Sequence, residues 1–406
     1  MRHVELAEHQ THPDTFDRDV ADALARSRLG LQVSPAASGR FTLRASSWVG
    51  TDRVGDVTVM VRPKLGPARI LYLATHAGIR PTYGGRVALS ETSDLFDAVR
   101  DAYAHALERA LEGGLLHAYA QLSVDENVVR GRLDFVRLAT TRFGQFPPLP
   151  CEVDEYGCDV PANRRLLAAA TRLARSAPRH PTTRRLLSAI RDLDRLGVVG
   201  GDDLGPIDRT DPGPVVEAQL GPAAEAYRVA LDLADLVLDD LYVRFEHGPR
   251  PSVGFALNMN DVFQKFLFRA LRRRLPAAGE VMLSERVAPM LRGRQEPSYR
   301  PDITWLGRDG LARLVVDAKW MEIGGRRKEH LEQMLIYCAI LGIGDAVLVY
   351  GSARKPSTHT VAGFDLRIHV EELDLDCDEV ELEVRVDALA ARIRPLGQSP
   401  RRVVHA

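Results

Sequence analysis

The segment from residue 299 to residue 320, YRPDITWLGRDGLARLVVDAKW, constrains the fold of this chain more than any other. Two apolar runs flank the sequence Gly-Arg-Asp-Gly, which is typical of the tight turn of a β-hairpin. Each run carries an aspartate, Asp302 or Asp317, where a buried strand favours an apolar residue, and the second run also carries Lys319. The segment therefore predicts a hairpin within a sheet whose charged side chains need a chemical explanation.

The hairpin is expected to gather these three charged residues at one place. Side chains of a strand alternate between the two faces of a sheet, so Asp317 and Lys319 point to the same side. Asp302 begins the partner strand, and closing the hairpin brings it near that pair. Two nearby carboxylates repel one another unless a cation lies between them. Mg²⁺ is the simplest such cation, because it prefers hard oxygen ligands and keeps several waters.

A metal held there suits one kind of reaction. It polarises a phosphoryl group and activates a bound water, which Lys319 can orient, and the carbonyl of Ala318 can add a further oxygen ligand. The pattern therefore favours hydrolysis of a phosphodiester. The alternative is an ordinary surface Asp–Lys pair beside an unrelated turn aspartate.

The basic residues of the chain add two observations. Only five of the 54 lysine and arginine residues are lysine, so the lysine of the Asp-x-Lys tripeptide points to chemistry that arginine does not provide. Residues 251–330 contain 15 lysine and arginine residues against 9 aspartate and glutamate residues. Such a basic segment suits the binding of a polyanion, and the alternative is a solvated charged face.

The length of 406 residues predicts two or three domains. Residues 1–110 contain strand-like runs such as FTLRASSW and predict a small mixed, β-rich domain. Residues 111–250 predict a helix-rich region, because runs such as AYRVALDLADLVLDDL repeat apolar residues at helical spacing. Residues 251–406 predict a central mixed sheet flanked by helices. The expected fold class is α/β, or α+β for the chain as a whole.

Several classes of protein are excluded by the absence of their motifs. The chain has no GxxxxGK[ST] phosphate loop, so no nucleotide is expected to bind to it. Its four cysteines lack CxxC spacing and indicate neither a zinc site nor a disulfide framework. No apolar run approaches the roughly 20 residues that span a bilayer, and the first residues do not form a signal peptide. We therefore expect a cytoplasmic protein without membrane association.

A family resemblance rests on the order of three motifs. Pro301-Asp302, Asp317-Ala318-Lys319 and Gln333-x-x-x-Tyr337 resemble the PD-(D/E)xK nuclease pattern with the Q-x-x-x-Y extension of RecB-type nucleases. More closely, the chain resembles McrC, the nuclease subunit of the McrBC modification-dependent restriction systems. Further similar segments are VMVRPK at 59–64, VRGRL at 129–133, DVPANRRL at 159–166 and NMNDVF at 258–263. The resemblance covers approximately residues 40–350.

This resemblance implies a Mg²⁺-dependent DNA endonuclease whose PD-(D/E)xK restriction-endonuclease-like domain occupies residues 251–406. Mn²⁺ is expected to substitute for Mg²⁺. The implied partners are a McrB-like AAA+ ring that hydrolyses GTP or ATP, and double-stranded DNA that carries a modification. The N-terminal domain, residues 1–110, is implied to dock on the ring and to stimulate hydrolysis.

The resemblance also assigns roles to residues. Asp302, Asp317 and Lys319 are the implied catalytic residues, and Asp302, Asp317 and the carbonyl of Ala318 are the implied metal ligands. The residues expected to support the site or to contact DNA are Gln333, Tyr337, Gln264 and Arg300.

One position departs from the family pattern. The opening helix of the superfamily commonly carries a metal-binding glutamate, and Gln264 stands in the matching place. Either the two aspartates suffice, or Glu285 on the next strand contributes, or activity is reduced. Two alternatives therefore stay open. One is a non-catalytic activator of an AAA+ ring that keeps a degenerate nuclease fold for DNA binding, and the other is a free-standing RecB-like repair nuclease.

Overall fold

A computed structural model describes residues 2–13, 15–54, 57–75, 95–141, 143–199, 212–244, 252–275, 279–283, 288–289, 298–320, 327–352, 356–363 and 365–398. The chain divides into two compact units. Unit 1 contains Met1–Asp94 and Gly254–Ala406, and unit 2 contains Leu95–Val253. This division differs from the three consecutive segments predicted from the sequence, because the first and last parts of the chain join in unit 1.

The helices and strands follow one another along the chain as a mixture of both types. The strands are β1 Arg2–Ala7, β2 Gln32–Pro35, β3 Phe41–Arg44, β4 Trp48–Val54, β5 Val57–Arg62, β6 Ala118–Glu126, β7 Arg132–Leu133, β8 Leu149–Gly157, β9 Leu241–Arg244, β10 Ser252–Asn258, β11 Gly279–Leu283, β12 Ala288–Pro289, β13 Ser298–Tyr299, β14 Ile303–Gly307, β15 Ala312–Lys319, β16 Asp345–Tyr350, β17 Ser357–Thr360 and β18 Arg367–Glu372. The helices are α1 Arg18–Ala25, α2 Pro67–Thr75, α3 Leu95–Gly113, α4 Phe135–Thr140, α5 Pro161–Ser176, α6 Thr183–Arg195, α7 Gly213–Leu220, α8 Ala224–Asp240, α9 Met259–Arg274, α10 Arg327–Leu341 and α11 Glu379–Gln398. The predicted mixed α/β fold class is confirmed.

One sheet of unit 1 combines strands from the two segments of the chain that form this unit. Its strands run in the order β1-β5-β4-β10. β1 pairs with β5 in parallel, whereas β4 pairs with both β5 and β10 in antiparallel fashion. Because β10 leads directly into α9, this pairing ties the N-terminal strands to the segment that contains the predicted nuclease hairpin.

Gly50 explains how β4 and β10 approach one another. Its φ angle is +130°, and a Cβ atom at this position would lie 2.0 Å from the carbonyl oxygen of Phe255 on β10. Only glycine combines this backbone angle with so close an approach. The absence of a side chain at Gly50 therefore allows β4 and β10 to pair closely.

The second sheet of unit 1 contains the predicted hairpin. The strand order is β11-β14-β15-β16-β18-β17. β14 and β15 are antiparallel neighbours across the Gly-Arg-Asp-Gly turn, as predicted, and β15, β16 and β18 are parallel to one another. β15 is buried along most of its length, which is typical of a central parallel strand covered on both faces.

Helices cover this sheet and form its core. α10 packs against β15, β16 and β18, and α9 and α11 also contact β15. Met334 and Cys338 of α10 belong to a buried cluster with Val315, Leu348 and other apolar residues of the sheet. Alternation along β15 places Asp317 and Lys319 on the same face as Val315. Asp317 and Lys319 therefore lie on the face of the sheet that α10 covers.

Unit 2 consists mainly of packed helices, as the sequence predicted for the middle region. α8 packs against α3 and α5, and a sheet with the order β6-β8-β7 accompanies these helices. Asn163 of α5 is fully buried and donates to the carbonyl oxygens of Leu116 and Cys158 at 2.8 and 2.6 Å. Tyr227 donates to the Asn163 side-chain oxygen at 2.5 Å. The motif DVPANRRL, which carries part of the resemblance, thus has a structural role in this unit.

Within the part of the chain that the structure describes, no helix is long and apolar enough to cross a membrane.

Candidate active site

The hairpin of β14 and β15 brings the two predicted aspartates together. Ile303 pairs with Val316, which sets Asp302 beside Asp317 at the end of the hairpin away from the turn. Oδ2 of Asp302 accepts a hydrogen bond of 2.8 Å from the backbone N–H of Ala318. The first aspartate is therefore fixed to the strand that carries the second.

Lys319 lies between a carboxylate and an amide. Its Nζ is 2.7 Å from Oδ2 of Asp317, and it donates to Oε1 of Gln333 at 3.0 Å. The Lys319 side chain is 22% exposed, so solvent can reach it. This placement agrees with the expectation that Asp317 and Lys319 share one face of the strand.

A chain of hydrogen bonds continues from Lys319 across α10. Nε2 of Gln333 donates to the Tyr337 hydroxyl at 2.7 Å, and that hydroxyl donates to the backbone carbonyl of Arg300 at 2.8 Å. Because Arg300 lies two residues before Asp302, the chain of bonds links the lysine back to the strand of the first aspartate. Gln333 and Tyr337 thus lie in one hydrogen-bond chain with Lys319, and the Tyr337 ring is buried.

The electrostatics of the pair follow from its burial. Burial, with a smaller effect of the adjacent Asp317 carboxylate, raises the pKa of Asp302 to about 7, while the Ala318 N–H and the Lys319 charge oppose the shift. Asp317 is only 1% exposed. Neither of its carboxylate oxygens accepts a hydrogen bond from the described residues, and the contact with Lys319 is an ion pair. When Asp302 and Asp317 are both ionised, the Lys319 ammonium balances one of the two charges, so the buried pair then requires a further positive partner.

This requirement fits a divalent cation. Mg²⁺ typically binds through one or two carboxylates and keeps several waters, so Asp302 and Asp317 suffice as its protein carboxylates. Within the described ranges, no group of three or more His, Cys, Asp or Glu residues could hold a metal ion. The predicted additional ligand Glu285 lies outside the described residues.

Gln264 makes no direct hydrogen bond to the aspartates within the described residues. It is half-buried on α9. Its neighbour Phe263 packs edge-on against Trp320, with ring centroids 6.1 Å apart. By strand alternation, Trp320 points away from the face that carries Lys319. α9 therefore packs on the side of β15 opposite to the face that carries Lys319.

One supporting residue, Glu8, was missed by sequence reasoning. Arg300, which was expected to support the site or to contact DNA, ends the hydrogen-bond chain with its backbone carbonyl. Glu8 accepts a hydrogen bond from the Trp320 indole at 2.9 Å across 312 positions of sequence. The motif order around residue 301 could have suggested the contact of Arg300, but no local signal could have revealed that of Glu8.

Comparison with known proteins decides the family. Residues 43–351 match a family described as McrBC 5-methylcytosine restriction system component. The chain belongs to the McrBC family. The matched range ends just after β16, so it includes the hairpin, α10 and every described candidate residue. The resemblance to McrC predicted from the motifs is confirmed.

Two chains of solved structures are similar to this chain, and the first of them supports the fold. One similar chain comes from a refined half-complex of the tetradecameric assembly of Thermococcus gammatolerans McrB AAA+ hexamers with bound McrC. It has a TM-score of 0.51 and 19% sequence identity, covering 96% of this chain and 100% of that chain. A chain of the cryo-EM structure of the Thermococcus gammatolerans McrBC complex has a TM-score of 0.38 and 20% identity, covering 67% of this chain and 88% of that chain. No curated protein sequence matches significantly.

Proposed function

We propose that this McrBC-family chain is the Mg²⁺-dependent, DNA-cleaving subunit of a two-component restriction system. The observation that carries the proposal is the convergence of Asp302, Asp317 and Lys319 at one end of a buried hairpin. Membership in a family of restriction-system components supports DNA as the substrate. The reaction is hydrolysis of a phosphodiester in modified double-stranded DNA.

The roles of the residues follow from their contacts. Asp302 and Asp317 hold the metal, which when bound supplies charge stabilisation to the phosphoryl oxygens and lowers the pKa of a water. Lys319 has three N–H donors, and its contacts with Gln333 and Asp317 leave at least one for the attacking water or a phosphate oxygen. Gln333 fixes the direction of the lysine, so the site is pre-organised before DNA arrives.

Exposed basic residues of unit 1 are suited to the DNA backbone. Lys265 and Arg272 are exposed on α9, and Arg300 is exposed two residues before Asp302. Positive side chains of this kind contact phosphates without reading the sequence. In our proposal this chain holds and cleaves DNA, whereas recognition of the modified base belongs to the partner.

The proposed partner is a McrB-like AAA+ ring that hydrolyses GTP or ATP, since the similar solved chain comes from an assembly of McrB AAA+ hexamers with bound McrC. Unit 2 exposes large apolar side chains that suit such docking. Tyr119 and Tyr156 are 75% and 58% exposed and face one another across β6 and β8, with ring centroids 5.0 Å apart. Phe135 and Phe143 are also exposed. We therefore extend the docking surface beyond the N-terminal domain suggested by the resemblance.

A second candidate function is an activator of the ring that binds DNA without cleaving it. The observation that favours it is Gln264, which occupies the place of a metal-binding glutamate and forms no hydrogen bond with the two aspartates among the described residues. A neutral amide is a weaker cation ligand than a carboxylate.

One experiment separates the two functions. The complex with its AAA+ partner is incubated with methylated or unmethylated plasmid, GTP or ATP, and Mg²⁺ or Mn²⁺, using the wild type, Asp317→Ala and Gln264→Glu. The nuclease proposal expects cleavage by the wild type and none by Asp317→Ala. Absence of cleavage with both metals, together with stimulated NTP hydrolysis by the partner, would establish the activator. Cleavage gained only in Gln264→Glu would identify a weakened nuclease site.

A further inference from the structure

Glu8 is a buried carboxylate outside the candidate active site. It directly follows β1 and is 3% exposed. Its Oε2 accepts the hydrogen bond from the indole N–H of Trp320 at 2.9 Å. Its Oε1 is buried and has no hydrogen-bond partner among the described residues. The N-terminal part of unit 1 thus reaches the residue that directly follows Lys319.

Trp320 lies where several parts of unit 1 meet. Its ring is 2% exposed and packs edge-on against Phe263 of α9. The strand itself continues to pair with its neighbour, because the Gly351 N–H donates to the carbonyl of Lys319 at 2.9 Å. The bond to Glu8 uses the single N–H donor of the indole. Since Trp320 directly follows β15, this bond lies next to the end of the strand that carries Asp317 and Lys319.

Burying the Glu8 carboxylate costs free energy. Burial raises the pKa of Glu8 to about 7, and the Trp320 hydrogen bond, the Lys64 charge and the Lys64 backbone N–H only partly oppose this shift. An apolar residue at position 8 would avoid the cost of desolvating a carboxylate. Buried polar contacts between distant segments specify geometry more than they add stability.

We propose that Glu8 is a positioning residue for the candidate nuclease site. Its carboxylate holds Trp320, and through Trp320 it holds the end of β15, so the geometry of Asp317 and Lys319 depends on the N-terminal strand. The consequence for metal binding rests on the proposed function, whereas the consequence for the strand does not.

The effect on the strand is measured by hydrogen exchange with mass spectrometry on the full chain. Glu8→Ala and Trp320→Phe each remove the bond, so amide exchange in the peptide covering residues 312–320 should become at least several-fold faster. Glu8→Gln keeps an oxygen acceptor and should exchange like the wild type. Glu5→Ala is the matched control, since Glu5 lies on the same strand and forms an exposed ion pair with Arg62.

The effect on the site is measured by Mn²⁺ titration, with Asp317→Ala marking the affinity that belongs to the site. Glu8→Ala and Trp320→Phe should weaken this affinity about tenfold, as is typical when a residue that orients a metal ligand is lost. In the Trp320→Phe background, Glu8→Ala should change the affinity little further, because the bond is already gone.

The outcomes keep the two proposals apart. Wild-type exchange at residues 312–320 in Trp320→Phe and in a folded Glu8→Ala overturns the positioning role, whatever the metal does. If Glu8→Ala does not fold, the exchange rates of Trp320→Phe and Glu8→Gln at residues 312–320 are compared. Faster exchange in Trp320→Phe supports the positioning role, and equal rates overturn it. Faster exchange without Asp317-dependent Mn²⁺ binding in the wild type would support positioning of the strand and contradict the proposed nuclease. Faster exchange with unchanged Mn²⁺ affinity would overturn the proposed effect of Glu8 on the geometry of Asp317 and Lys319.

Discussion

Lys319 is held between two residues of different character, a buried carboxylate and an amide on a neighbouring helix. A lysine side chain loses considerable rotamer freedom when it is fixed. Asp317 supplies charge, and Gln333 supplies direction, because its own amide is oriented by Tyr337. A lysine that is already fixed in this way can act on water or phosphate without reorganising during the reaction.

Loss of the orienting amide is therefore expected to reduce activity without unfolding the protein. Gln333→Ala should lower the rate of DNA cleavage by roughly 10- to 100-fold, since Lys319 loses its 3.0 Å acceptor. The measurement is the cleavage rate of the complex with its AAA+ partner, with the thermal unfolding midpoint as a check on folding. Glu332→Ala is the control, because Glu332 is its exposed neighbour on α10. Equal rates for the two variants would contradict this account of Gln333.

The raised pKa of Asp302 predicts how the metal-free protein responds to pH. Its pKa is about 7 in the folded protein, above the ordinary value of 3.8, so the folded state binds this proton more tightly than the unfolded state. The contribution of Asp302 to the free energy of unfolding is therefore largest at low pH and decreases as the pH rises from about 4 through about 7. Asp302→Asn should flatten this dependence in thermal unfolding between pH 5 and pH 8, and an unchanged slope would refute the assignment.

The same titration acts on metal binding in the opposite sense. A divalent cation competes with the proton on Asp302, so the affinity for Mg²⁺ should fall as the pH is lowered below about 7. Mg²⁺ should consequently raise the unfolding temperature of the wild type more at pH 8 than at pH 6. A Mg²⁺ effect that is equal at the two pH values would show that Asp302 is not a ligand.

At the scale of the element, the hairpin of β14 and β15 could be predicted because its signals are local. Two apolar runs, a Gly-Arg-Asp-Gly turn and the alternation of side chains fix the strands and the common face of Asp317 and Lys319. The helical spacing of α10 likewise predicted that Gln333 and Tyr337 share a side. The pairing of β10 with β4 and the contact of Glu8 with Trp320 could not be predicted, since register between distant segments has no local signature.

The junction of β4 and β10 gives a prediction about stability. Gly50→Ala places a Cβ 2.0 Å from the Phe255 carbonyl oxygen at a φ of +130°, so it should destabilise unit 1 by roughly 2–4 kcal/mol. Gly39→Ala has a φ of +71°, in the left-handed region that other residues occasionally adopt, and no atom within 4 Å, so it should cost about 1 kcal/mol. Urea unfolding measures both losses. Similar losses would mean that the close approach of the two strands has no role.

The exposed aromatic pair of β6 and β8 gives a prediction about association. Tyr119→Ser with Tyr156→Ser removes apolar surface that is already exposed, so the fold should not change. Binding to the AAA+ ring, measured by analytical ultracentrifugation, should weaken by at least about tenfold if this surface docks. Val380→Ser on α11 is the control, because Val380 is 75% exposed and lies in unit 1. Unchanged binding of the double variant would remove these strands from the docking surface.

At the scale of the whole molecule, the chain separates two tasks. Unit 1 carries the candidate nuclease residues on a sheet that both ends of the chain help to position. Unit 2, which the chain inserts between Asp94 and Gly254, carries the exposed apolar surface proposed for the motor. The missing phosphate loop agrees with this arrangement, since the proposed partner supplies the nucleotide-driven step.

The central claim is that the two aspartates and the lysine form a metal-dependent nuclease. The most direct measurement is the rate at which the complex with its AAA+ partner cleaves methylated plasmid in Mg²⁺, for the wild type and for Asp317→Asn. The variant keeps the shape of the side chain and removes its charge. We predict a loss of about 100-fold or more, with the partner's NTP hydrolysis still stimulated. Cleavage at the wild-type rate by Asp317→Asn would contradict the account.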